Sequence, residues 1–202
     1  MILIEELWTV QSYIESFIDG CPNHLRPKVC PHCQAKVILH KHGSFKRTVY
    51  SLYDVFIISI FRFKCILCGR STSLLPNFVM EHHQVAWEVK EEVIRQQLSG
   101  EALAKIAEDL VTSAGKFSEK TLWRWSKAIR DELRNSSSEQ WQVILEKLPH
   151  VEIPVGSSKP VREWVWLFRT WEQVRSIIPE YENIGLLSWL YPIKCSRAVA
   201  VG

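Results

Sequence analysis

The chain has 202 residues, 47% of them hydrophobic, and a formal net charge of +3. That apolar content supports a packed core in one domain or two small ones, which excludes wholesale disorder. No apolar run is long enough to span a bilayer, and the opening "MILIEELW" carries acids where a secretory leader carries basic residues, so a cytoplasmic protein is expected.

Residues 1–20 read as an N-terminal segment whose helix runs over "ILIEELWTVQSYIESFI" (2–18). Two Cys-x-x-Cys forks follow, Cys30 with Cys33 and Cys65 with Cys68, and 31 residues separate them. In a reducing compartment such forks point to metal rather than to disulfides. Each presents two thiolates from a tight turn, and two forks complete a tetrahedral sulfur shell around one structural Zn²⁺. Redox chemistry is the competing use of the same thiols. The intervening "AKVILH" (35–40), "FKRTVYSLY" (45–53) and "VFIISIFRFKC" (55–65) read as strands, with a turn at Gly43 in "HGS". A small antiparallel zinc ribbon over residues 21–80 is therefore expected. Cys21 and Cys195 have no partner of this kind and read as small apolar residues or free thiols. His24, His32, His40, His42, His82 and His83 read as surface or backbone-contacting rather than as ligands.

Charge is concentrated on that ribbon. Residues 1–20 carry −4, whereas residues 21–80 hold nine basic side chains against Asp54 alone, a net +8. A field of that sign attracts polyanions and is released as counterions on nucleic acid. Lys46, Arg47, Arg62, Lys64 and Arg70 are the candidate phosphate contacts.

Between 85 and 135 the period becomes helical. Val89, Val93, Ile94 and Leu98 recur at helical spacing until "SG" (99–100) interrupts them. A short helix, "EALAKIAEDL" (101–110), precedes a loop containing Gly115. A third helix, "SEKTLWRWSKAIRDEL" (118–133), begins at Ser118, a residue suited to capping, and carries the stripe Leu122, Trp125, Ile129, Leu133. The second and third helices read as a helix-turn-helix within a domain spanning 81–135. Ser118, Lys120, Thr121, Arg124 and Lys127 then face outward as candidate DNA contacts. Glu119 is also outward, and Trp123 packs on the preceding helix or lies at the groove wall. A plain three-helix bundle with a charged face fits the same pattern.

"VCPHC…HGSFKRTVY…FRFKCILCGRSTSLLP" followed by "LSGEALAKIAEDL…FSEKTLWRW" resembles the N-terminal half of bacterial insertion-sequence transposases of the ISL3-like group and related transposase-like proteins. The likeness covers about residues 28–133. It implies recognition of double-stranded DNA, in transposases usually at the element's terminal repeats. Transposases of that kind cut DNA with an Asp-Asp-Glu triad holding two metal ions. Residues 136–202 contain seven Glu and no Asp, so no such triad and no enzyme is expected.

The remaining 136–202 read as a helical accessory region. "NSSSE" (135–139) is a hinge, "QWQVILEKL" (140–148) a helix, "HVEIPVGSSKP" (150–160) a loop and "VREWVWLFRTWEQVRSIIP" (161–179) a helix. Five of the nine tryptophans follow residue 140 and require a partner surface. That surface is the chain's own bundle, or alternatively a second copy or a separately encoded recombinase.

The fold class is thus α+β: a zinc ribbon, a helix-turn-helix and a Trp-rich helical region. The expected function is non-catalytic, sequence-specific DNA binding on the nucleoid, at mobile-element ends or with a recombinase. A transcription regulator, a protein–protein adaptor and an inactive transposase relic are the rivals.

Overall fold

A computed structural model describes residues 2–4, 6–147 and 160–191. The fold is mixed α+β, with a four-stranded sheet ordered β1-β4-β3-β2. Strands β2 (His40–Tyr50) and β3 (Val55–Lys64) form a long antiparallel hairpin, and β4 (Ser71–Leu75) pairs antiparallel with β3.

The N-terminal segment differs from the expected single helix. Ile2–Leu3 is β1, pairing in parallel with Leu74 and Leu75, and the helix α1 is confined to Val10–Ser16. Its start is fixed by a capping box in which Thr9 and Ser12 each satisfy the other's backbone amide. Tyr13 and Phe17 pack with Ile58, Ile60, Phe63 and Leu74 in one core, and the Tyr13 hydroxyl donates to the Ser59 carbonyl at 2.7 Å.

The hairpin also departs from the sequence reading. Residues 34–39 form no strand up to His40, because the backbone there closes the first cysteine turn: Cys30 N–H donates to Ala35 and Leu39 N–H to Pro27. Gly43 is not the hairpin turn. It sits inside β2 at a bulge between Lys41 and Ser44, with φ +84°, a conformation that favours glycine. The chain reverses instead at 51–54, where Ser51 and Asp54 bond each other's backbone.

After the sheet come α2 (Trp87–Leu98), α3 (Leu103–Asp109), α4 (Glu119–Lys147) and α5 (Pro160–Ile177), followed by a short helix over 186–191. The break after α2 is where expected, with Gly100 at φ +100°. The hinge expected at 135–139 is absent, and α4 runs through it for 29 residues. Ser and Asn cost only a few tenths of a kcal/mol each within a helix. Ile129 and Ile144, one on either side of that stretch, are both buried in the same core. The loop expected over 150–160 falls outside the described residues except at Pro160, which opens α5.

The aromatic tail packs on the chain itself. Trp164, Phe168 and Trp171 of α5 join Trp87, Ile94, Ile129 and Trp189 in a second core. Trp171 donates its indole N–H to the Ile184 carbonyl at 2.9 Å and lies 4.8 Å from the Trp189 ring. The buried Glu91 of α2 fastens this region: one oxygen accepts from Arg95, the other from the Leu187 amide at 3.0 Å. Gly185 is required there, since a Cβ would stand 2.6 Å from the Glu91 carboxylate.

Candidate metal centre and basic surface

The two cysteine turns are built alike. In the first, Gln34 N–H donates to Cys30 O and Cys30 N–H to Ala35 O; in the second, Gly69 N–H donates to Cys65 O and Cys65 N–H to Arg70 O. Each turn ends on a left-handed residue, Gln34 at φ +58° and Gly69 at φ +70°. The hairpin brings the turns together, because His40 opposite Lys64 places the ends of β2 and β3 side by side.

The four thiols converge as the spacing predicts. Cys30 and Cys68 sulfurs are 3.7 Å apart, Cys33 and Cys65 sulfurs 3.8 Å, and all four lie within 4.8 Å of one another. A tetrahedral ZnS₄ shell with bonds of about 2.3 Å has sulfur–sulfur edges of about 3.8 Å, so this set fits zinc. Electrostatics agree. The Cys33 and His32 amides and the neighbouring thiols hold the Cys30 thiol down to about 6. At Cys33 the Ala35 amide pulls downward, but desolvation and the other three thiols outweigh it and raise the group to about 11. Four thiols in contact cannot all ionise together unless a cation neutralises them. Cys30 and Cys65 are fully buried and Cys33 is exposed, so the cluster lies part-buried at the sheet's end. Cys21 is buried, and desolvation raises its thiol to about 11, as a small apolar residue would require.

The ribbon's cations do not form one patch. Arg62, Lys64 and Arg70 are exposed. Lys46 donates to Ser59 at 2.9 Å and lies on the opposite face of the hairpin from Arg62 and Lys64, since β-strand side chains alternate. Arg47 is half-buried and committed elsewhere: its guanidinium donates to the Met80 and His83 carbonyls and clasps that segment to β2. It is a structural clamp, not the open phosphate contact expected.

Helices α2, α3 and α4 meet around Val93, Ile106 and Leu122, with Phe117 edge-on to Trp125 at 4.8 Å. The loop before α4 is an ordered turn in which Thr112 and Gly115 exchange backbone hydrogen bonds. Ser113 ties this turn to the hairpin tip, donating from its amide to Leu52 and from its hydroxyl to Ser51. Ser118 caps α4 through Thr121, so its hydroxyl is engaged, and Thr121 is half-buried. Lys120, Arg124 and Lys127 are exposed, and so is Trp123, at 47%. Of the nine tryptophans, all within the described residues, Trp123 alone is exposed, and the Lys127 ammonium lies 5.2 Å from its ring centre.

Lys90 escaped the sequence reading. It is 2% exposed, with its ammonium 3.0 Å from Met80 Sδ and above the rings of Trp87 and Trp125. The signal was present: Trp87, Lys90 and Ile94 share one face at i, i+3, i+7.

Among the described residues no helix is long and apolar enough to cross a membrane. No curated protein and no solved structure matches the chain. Residues 30–125, from the first zinc-type cysteine to the second turn of α4, are similar to a family described as Domain of unknown function (DUF6431).

Proposed function

We propose that this protein is a non-catalytic, sequence-specific binder of duplex DNA, with one zinc bound by Cys30, Cys33, Cys65 and Cys68. In this reading α3 and α4 form a helix-turn-helix, α4 reads bases, and the ribbon's open cations hold phosphates. The observation that carries it is the outer stripe of α4. Lys120, Trp123, Arg124 and Lys127 stand at i, i+3, i+4 and i+7, all exposed, while Leu122 and Ile129 on the opposite side are buried. Three exposed cations and an exposed indole, Lys127 lying against the Trp123 ring, suit a polyanionic groove whose walls offer phosphates and sugar. In this reading, suggested by the resemblance to transposase N-terminal regions, the DNA bound is at mobile-element ends, or binding occurs beside a separately encoded recombinase.

The test is selection of bound sequences from a random duplex pool, followed by titration of Arg124→Ala. Element-end repeats are expected; promoter motifs would make the protein a transcription regulator. Arg124→Ala should cost about 1–3 kcal/mol on the selected site and much less on random duplex. Equal losses on both would remove α4 as the reader. The same duplexes should remain intact in Mg²⁺ or Mn²⁺, and metal-dependent cutting by the purified chain would refute the non-catalytic reading.

One observation favours a second reading. Ile66 and Leu67, between the second pair of cysteines, are 60% and 65% exposed, as a ribbon that docks on protein would present them. An adaptor of that kind would show no salt-dependent duplex binding.

A further inference from the structure

A cleft of about 190 Å³ opens where the Gly43 bulge meets the chain leaving α1. Its floor is apolar: Phe63 and Cys21 are buried and Phe61 is half-buried. Its rim is exposed and polar, formed by Lys41, Ser44 and Arg62. Lys41 and Ser44 share the face of Phe63 and Phe61, their register partners, whereas Arg62 leaves β3 on the other face, its guanidinium 3.8 Å from where a Gly43 Cβ would be. Lys46 stands one pleat beyond Ser44 on the same face, roughly 7 Å along the strand. Neither Lys41 nor Arg62 is ion-paired with a described carboxylate, and residues 21–80 contain only one acid, Asp54, at the hairpin's other end.

We propose that this cleft seats one phosphodiester of duplex DNA, with the sugar's carbons over Phe61 and the phosphate oxygens against Lys41 and Ser44. The proposal rests on the DNA-binding reading and extends it to a second contact point. From Lys41 to the tip at Leu52 the hairpin extends roughly 36 Å at about 3.3 Å per residue. The face between them is open, since Ile57 and Val55 are 64% and 52% exposed. The tip is bonded to the turn that leads into α4. A duplex repeats every ~34 Å, so a groove occupied by α4 and a phosphate in the cleft would lie about one turn apart.

The experiment uses the full, zinc-loaded chain and two random-sequence duplexes, one of about 24 base pairs and one of about 10, the second too short to reach both points. Affinity is measured from 50 to 200 mM salt for the native chain, Lys41→Ala and Lys41→Arg. One phosphate contact contributes a slope of about 0.9, so the native chain's loss over that range on the long duplex should exceed that of Lys41→Ala by about 3.5-fold. Lys41→Arg should restore the native slope, and on the short duplex all three should share one slope. Ser44→Asp, which adds an anion at the rim, should reproduce the Lys41→Ala loss by a second route. Zinc content and melting temperature confirm folding in each case. If the native chain binds neither duplex, the DNA-binding reading fails and takes the cleft with it. If it binds both and Lys41→Ala changes neither slope, or changes both alike, the cleft is not a backbone site although the protein remains a DNA binder. Saturation by millimolar inorganic phosphate at 150 mM salt, seen in the Gly43 and Ser44 amide resonances, would make it a free-anion site and overturn the proposal.

Discussion

Replacing Lys90 with Met should stabilise the protein at neutral pH, and the gain should vanish as pH rises. Burial lowers the Lys90 ammonium from its usual range to about 8. From the ordinary 10.5 that shift is 2.5 pKa units, or about 3 kcal/mol of unfavourable burial while the group is charged. Two contacts offset part of it: the ammonium is 4.7 Å from the Trp87 ring centre and 5.7 Å from that of Trp125. Such cation–π contacts contribute about 0.5–2 kcal/mol each when desolvated. Methionine has nearly the same length, keeps the packing and buries no charge. Lys90→Met should therefore add about 1–2 kcal/mol at pH 7, raising the melting temperature by a few degrees.

The pH dependence follows from the direction of the shift. Between about 8 and the unfolded value near 10.4 the unfolded chain binds more protons at this site, so native stability rises with pH across that window. The methionine variant lacks this rise of about 3 kcal/mol, so its advantage should pass through zero within the window and be reversed by about pH 10.5. His83 feels the same ammonium: burial, then Lys90 and Arg47, hold it below its ordinary value. Cys21 and Tyr13 titrate alike in both chains and cancel in the difference. The assay is urea unfolding of zinc-loaded protein by tryptophan fluorescence at several pH values. A variant less stable at pH 7 by more than about 1 kcal/mol, or a difference that stays flat from pH 7 to 10.5, would refute this account of Lys90.

Two further predictions concern the cysteine turns. One zinc per chain is expected by metal analysis, and Cys65→Ala should abolish it and unfold β2–β4, seen as lost amide-exchange protection, because structural zinc supplies about 10–16 kcal/mol, comparable to a whole domain's stability; a folded, zinc-free preparation would contradict the site. Gln34→Gly should stabilise the loaded chain by about 0.5–1 kcal/mol, measured by urea unfolding, because Gln34 holds the left-handed conformation that Gly69 occupies in the twin turn; a loss of stability would mean the Gln34 side chain contributes more than its backbone costs.

The parts legible from sequence were those whose signal is local. Two Cys-x-x-Cys forks fix a four-sulfur cluster because each fork's geometry is set within six residues and the strands between them are rich in β-branched side chains. Helices α2, α3 and α5 were legible from apolar period and from Gly100. What escaped was set by partners distant in sequence. Residues 2–3 became a strand because Leu74 and Leu75 offered an edge, and a helical period over 2–18 cannot reveal that. The polar run 135–139 stayed helical because buried residues on either side of it outweigh weak propensities. Arg47 looked like one more free cation; its occupation by Met80 and His83 depends on a segment over thirty residues away.

These long-range ties also bear on how the two modules cooperate. The hairpin begins at the cysteine cluster and ends at Leu52, whose carbonyl accepts from Ser113 and whose amide donates to Glu88 of α2. Tyr50 adds a second connection, exchanging backbone hydrogen bonds with Gln84 and Ala86 just before α2. The hairpin thus has the four-cysteine cluster at one end and, at the other, the bonds from Ser51 and Leu52 to the turn before α4. A zinc ion on the four thiols would hold the cysteine end of β2 and β3 in register. Loss of the metal would release the cysteine end of the hairpin first, since the other end is still bonded to Ser113 and Glu88. The stripe on α4 would persist, because its inward side is fixed by Leu122 and Ile129. On the proposed function, a zinc ion on the four thiols would set the distance and orientation between the cysteine end of the hairpin and the outer stripe of α4, in addition to stabilising the ribbon.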